Sequence, residues 1–74
     1  MKFETLVKLA NKAGSSAATL AEKMSDEALA GAADLISTTL KGHGIGQGER
    51  LCLYAECKAF RAEIARRAHI AAGL

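Results

Sequence analysis

Leu40-Lys41-Gly42-His43-Gly44-Ile45-Gly46-Gln47-Gly48-Glu49 is the stretch that decides the fold. Its alternating glycines end one helix and begin another. With Gly44 one residue past the helix end, Ile45 follows it and Leu40 becomes the apolar partner that Ile45 touches in a Schellman ending. Lys41 and His43 then fall in the last turn, where the helix dipole favours cations. Gly46 is an acceptable N-cap for the next helix, and Glu49 stands at the third position after it, where a capping-box acid belongs. A connection this short predicts antiparallel neighbours. The stretch resembles a phosphate-cradling loop in glycine count alone, because it has neither the Lys-Ser/Thr ending nor a preceding strand.

Upstream, Ser25-Asp26-Glu27 reads as an N-cap followed by two acids in the first turn. Met24 precedes the cap and can pack on Leu29 as a hydrophobic staple. Leu29, Ala33, Ile36 and Leu40 then recur at helical spacing, and Ala28, Ala32 and Leu35 widen that face. In the N-terminal third, Phe3, Leu6, Ala10, Ala13, Ala17, Leu20 and Met24 keep a 3-4 spacing. Gly14-Ser15-Ser16 interrupts this stripe as a stop and restart, which predicts two helical pieces with a bend. The last helix is the longest, and at 1.5 Å per residue it measures about 38 Å. A compact globule of this chain length is only about 29 Å across, so the helix projects or the molecule is elongated. The sequence thus predicts a single all-α domain over 1–74. Its architecture is a small antiparallel three- to four-helix bundle, with helices near 2–13, 16–24, 26–43 and 47–72.

Composition supports helices and a thin core. Half of the 74 residues are hydrophobic, but 16 residues are Ala, only two are Phe, one is Tyr, and there is neither Trp nor Pro. Burying Ala removes little apolar area from water, so self-association is a natural supplement for so small a chain. Cys52 and Cys57 lie on different faces of one helix and are expected to be reduced thiols of a cytoplasmic protein. The start of the chain lacks the apolar core of a signal peptide, and no apolar run suits a bilayer span. No membrane association is expected.

The last helix carries the richest surface. Leu53, Cys57, Phe60 and Ile64 form a stripe, with Glu49, Glu56 and Glu63 beside it in heptad register. In a parallel dimer through this seam Glu56 would meet Arg61, although Arg67 closes the seam after two heptads; the alternative is that the stripe covers the central helix within one chain. Tyr54, Leu51 and Ile70 lie off the stripe. Lys58, Arg61, Arg66, Arg67 and His69 make the second half of the helix basic, against a net charge of only +2. Glu63 with Arg67 is an i,i+4 pair, so part of that face has a simple solvated reading.

Residues 5 to 25 carry Thr5-Leu6-Val7-Lys8-Leu9-Ala10, then Ala13-Gly14-Ser15-Ser16, then Thr19-Leu20. They resemble the helix-turn-helix of lac-repressor-type regulators over less than a third of the chain. The resemblance implies DNA binding by the segment from Ser16 to Lys23. That segment offers Ala17, Ala18, Thr19 and the acid Glu22 where base edges call for Arg, Lys, Asn or Gln.

No nucleophile-base pair, paired carboxylates or metal spacing can be drawn from these residues, so no catalytic residue, metal or cofactor is expected. The expected function is that of a non-enzymatic interaction protein, a small regulator or inhibitor acting as a homodimer. It would hold a macromolecular partner, with an acidic protein favoured, through Tyr54, Lys58, Arg61, Arg66, Arg67 and Ile70. The alternative is a small DNA-binding protein using residues 5–25 as a degenerate helix-turn-helix, with nucleic acid as its partner.

Overall fold

A computed structural model of the chain describes residues 2–42 and 44–73. Among them it contains three α-helices and no strand: α1 (Phe3–Lys23), α2 (Asp26–Lys41) and α3 (Gln47–Ala71).

Helix α1 runs through Gly14-Ser15-Ser16 without a break. The expected pieces near 2–13 and 16–24 are therefore one helix, and the four-helix version of the fold is not formed. The physical reason lies on α3. A Cβ built on Gly14 would stand 3.4 Å from the Cβ of Ala55, an ordinary contact, so this turn is packed against a neighbouring helix and does not end its own. Thr19 adds a bond from its hydroxyl to the Ser15 carbonyl one turn back, at 3.2 Å. Leu6, Ala17 and Ala21 are the buried residues of the α1 stripe.

Helix α2 opens as its sequence dictates. Ser25 caps it, its Oγ accepting from the Ala28 N–H at 3.1 Å, and Met24 packs on the core that contains Leu29. The other end departs from expectation. The helix stops at Lys41, not near 43, and Gly42 follows in extended backbone with φ −76° and ψ 173°. Gly44 does adopt the left-handed region, at φ 96°, but it lies beyond the helix end and closes no Schellman motif on it. His43, expected in the last turn, lies outside the described residues. The free carbonyls of α2 are met instead by Arg50 of α3. Its guanidinium donates to the Leu40 carbonyl at 2.6 Å and to that of Gly42 at 3.3 Å. Gly46 is the N-cap of α3, as read from the sequence.

Helix α3 is the spine. It packs against both α1 and α2, whereas those two scarcely touch each other. Leu6 of α1 lies against Gly48, Gly14 against Ala55, and the Ala21 carbonyl against Arg67. On α2 the order runs the other way, with Leu40 beside Arg50, Ala33 beside Cys57 and Asp26 beside Arg67. The core is small: Ala17, Ala21, Leu29, Ala33, Ile36, Cys57 and Phe60. Leu53 and Ile64 pack against it, so the α3 stripe is occupied within the chain and is not free to form a coiled-coil seam. The outline measures 45 × 23 × 18 Å with a radius of gyration of 13.3 Å, above the roughly 11 Å of a compact chain this long.

Two expected outcomes follow from these helix ends. Gly14→Ala should stabilise the protein by up to about 1 kcal/mol in urea denaturation, the ordinary gain of alanine over glycine inside a helix. A loss of stability would mean that the packing against Ala55 leaves no room for a methyl group. Arg50→Ala should cost roughly 1 kcal/mol, as for other lost helix caps, seen as a lower thermal midpoint with the helical signal retained.

Candidate functional site

The six residues singled out on α3 separate into two groups. Tyr54, Lys58 and Arg61 follow one another at +4 and +3 and line one groove of about 220 Å3 with Ser37, Leu40 and Cys57. Tyr54 is 64% exposed. The Arg61 guanidinium is held in place by donating to the Ser37 Oγ at 2.6 Å, and the Ser37 hydroxyl also lies 3.8 Å from the Cys57 Sγ. Cys57 in turn donates to the Ala33 carbonyl at 3.9 Å. One face of α3 thus presents an aromatic ring and two cations over an apolar floor, with one cation fixed by a buttress from α2.

Arg66, Arg67 and Ile70 do not join this face. Arg66 and Arg67 turn to Glu63, a carboxylate only 7% exposed. Arg66 binds it through Nε at 2.9 Å and Nη2 at 2.6 Å, and Arg67 through Nε at 2.7 Å. Arg67 reaches further, donating to Asp26 Oδ1 at 2.8 Å and to the Ala21 carbonyl at 2.9 Å. Its side chain is 23% exposed. The simple solvated reading of the Glu63 and Arg67 pair is thereby overturned: Arg67 joins the end of α1, the start of α2 and α3. Ile70 is exposed and stands beyond this junction. Leu51, also expected on an exposed patch, is half-buried.

The arginines hold the Glu63 carboxyl well below its ordinary range, from 4.5 to about 2. The bonds from Arg66 and then Arg67 are the main causes, opposed by the loss of solvent around the carboxylate. The same contacts raise both arginines.

Sequence reasoning missed Arg50 and the reach of Arg67. The signal available was negative. No glycine follows α1, so its last carbonyls needed donors from elsewhere, whereas the glycines after α2 gave no such warning. The alternative helix-turn-helix of residues 5–25 is not formed, since these residues hold one continuous helix and the Met24-Ser25 link. Among the described residues no group of three or more His, Cys, Asp or Glu is placed to hold a metal. No buried side-chain nitrogen or oxygen among them lacks a hydrogen-bond partner. Cys52 and Cys57 are free thiols, and no described helix is long and apolar enough to cross a membrane.

Comparison with known proteins gives no match: no family model, no curated protein and no solved structure resembles the chain.

The depressed Glu63 sets a pH dependence. A carboxylate whose folded pKa lies below its unfolded value stabilises the fold above the unfolded value and loses that contribution on acidification. Helical signal should therefore decline as pH falls from about 4.5 towards 2. Glu63→Gln should be less stable at neutral pH and should lack that part of the acid transition. An unchanged transition in the variant would assign it to other carboxylates.

Proposed function

We propose that the protein is a non-enzymatic interaction protein, a small regulator or inhibitor that docks on an acidic partner protein through the outer face of α3. The observation that carries this reading is Tyr54 standing exposed at the head of a row with Lys58 and Arg61 along one groove. Aromatic rings and arginines at well-packed positions dominate the energetics of protein interfaces. Arg61 is held by Ser37, so less side-chain freedom is lost when it binds. An acidic side chain meeting both cations, with an apolar neighbour seated against Leu40 and Tyr54, is the complementary chemistry. Arg66 and Arg67 are omitted from the docking set because Glu63 and Asp26 already neutralise them. Ile70 is an accessory contact at most.

The architecture we assign is an antiparallel three-helix bundle in up-down-up order. It rests on the opposed order of contacts between α2 and α3 and the matched order between α1 and α3. We assign the protein to the cytoplasm, consistent with its two free thiols, and take its working form as a homodimer.

The reading is tested by pull-down with tagged full-length protein from its native cell. Lys58→Glu combined with Arg61→Glu should abolish capture of the partner while leaving the circular dichroism unchanged. Arg66→Gln, on the other side of the helix, should retain it. Capture that survives the double charge reversal would overturn the proposed face.

A further inference from the structure

Three consecutive residues of α2 carry hydroxyls: Ser37, Thr38 and Thr39. A hydroxyl inside a helix has the carbonyl four residues earlier within reach. Thr38 bonds back to Asp34 in this way at 3.0 Å, and Thr39 to Leu35 at 2.9 Å. Ser37 does not. The carbonyl it would use, that of Ala33, receives the Cys57 thiol of α3 at 3.9 Å instead. The Ser37 Oγ is engaged by α3, accepting from Arg61 Nη2 at 2.6 Å and lying 3.8 Å from the Cys57 Sγ. A guanidinium can only donate, and the thiol hydrogen goes to Ala33, so the Ser37 hydrogen is left for the Cys57 sulfur. The bonds therefore run in one direction, from Arg61 through Ser37 and Cys57 to the Ala33 carbonyl.

At the head of that relay, Arg61 differs from the other arginines. Arg50 serves two backbone carbonyls, and Arg66 and Arg67 serve the Glu63 carboxylate. Arg61 is exposed, and among the described residues no carboxylate pairs with it. Its bond to Ser37 uses one of several N–H donors. A guanidinium fork matches the two oxygens of a carboxylate, whereas a lysine ammonium acts as a point charge. The groove that Arg61 lines holds about 220 Å3, with Leu40, Tyr54 and Cys57 also in its lining. A cavity of roughly 150 Å3 accommodates benzene, so the groove has room for a ring-sized apolar group beside the fork.

We propose that the relay makes Arg61 a fixed fork for one carboxylate borne on an apolar group, with Ser37 and Cys57 as its positioning residues and Lys58 as the second cation. This rests on the reading of the face as a docking surface, and it names what the face takes from the partner: an acidic side chain flanked by an apolar one. Ser37 fixes one N–H of the guanidinium, so the remaining donors meet a carboxylate with less side-chain freedom to lose. Cys57 acts by keeping Ser37 available. Without the thiol, the Ala33 carbonyl returns to Ser37, whose hydroxyl then follows Thr38 and Thr39, and Arg61 loses its anchor.

The probe is phenylacetate, titrated into the full isotope-labelled chain and followed by NMR at the Arg61 Nε–Hε and the amides of Tyr54 and Lys58. Binding on the order of millimolar is expected, and neutral phenylacetamide, of the same shape, should bind at least about tenfold more weakly. Ser37→Ala and Cys57→Ala should each weaken phenylacetate about tenfold, and Cys57→Ser, which keeps a donor and an acceptor in place, should retain it. Combining Ser37→Ala with Cys57→Ala should cost no more than either alone, because both break one relay. Arg61→Lys should lose binding although the charge is kept. No shift at millimolar phenylacetate, or equal binding of the amide, would overturn the carboxylate fork. Unchanged binding in Ser37→Ala, or losses that add in the double variant, would overturn the positioning. Should Cys57→Ala fail to fold, Ser37→Ala and Cys57→Ser still decide. The fork and the docking face fail separately. Phenylacetate bound as expected, with the partner still captured after charge reversal at Lys58 and Arg61, would strike the docking face and leave the fork. Capture lost on that reversal, with no phenylacetate bound by the unmodified chain, would strike the fork and leave the face.

Discussion

Two arginines of α3 close the free ends of the other two helices, and the rest of the structure is arranged around them. A helix leaves its last carbonyls without partners, and the usual remedy is a left-handed glycine just past the end. Neither α1 nor α2 has one. The end of α1 is bound by Arg67 and the end of α2 by Arg50. Seventeen residues separate these arginines, about 26 Å of helix, and the 16 residues of α2 span about 24 Å. The distance between the two caps is thus set by the helix that α3 lies beside. This explains why α3 must be long in so small a protein. It also explains why Glu63 is buried: a carboxylate between Arg66 and Arg67 fixes the second cap in place.

The core between these caps is built for close approach more than for volume. Ala17, Ala21 and Ala33 supply three of its seven buried residues, and Phe60 is the sole buried aromatic among the described residues. Gly14 sits against Ala55 where α1 meets α3. Short side chains bring α1 and α2 each onto α3, and one core cluster joins the three helices. The elongated outline follows from laying both shorter helices along the 25 residues of α3.

What could be read from the sequence was the chemistry that acts within a few residues. Ser25 as a cap, Gly46 as a start, the face of Leu29, Ala33, Ile36 and Leu40, and the length of α3 all depend on local pattern. Gly14-Ser15-Ser16 misled because its local signal is the same for a helix stop and for a glycine packed inside a continuous helix. Only Ala55, 41 positions away, decides between them. Gly44 misled in the opposite way: its left-handed backbone was rightly anticipated, but Gly42 had already left the helix. The basic half of α3 divided along lines that local spacing does not contain. Arg67 is spoken for by Asp26 and Ala21, more than forty residues earlier, whereas Lys58 has no such claim on it.

That division also narrows what the outer face can bind. Were all five basic groups from Lys58 to His69 free, a polyanion would be a natural ligand, because each neutralised phosphate adds to counterion release. With Glu63 and Asp26 satisfying Arg66 and Arg67, the cations beside Tyr54 reduce to Lys58 and Arg61. Two phosphate contacts give a shallow salt dependence and little affinity. An aromatic ring over an apolar groove contributes nothing to phosphate binding but is well matched to a folded surface that offers one carboxylate and one apolar side chain. The internal neutralisation of α3 therefore shifts its exposed face from general attraction of anions towards recognition of a shape.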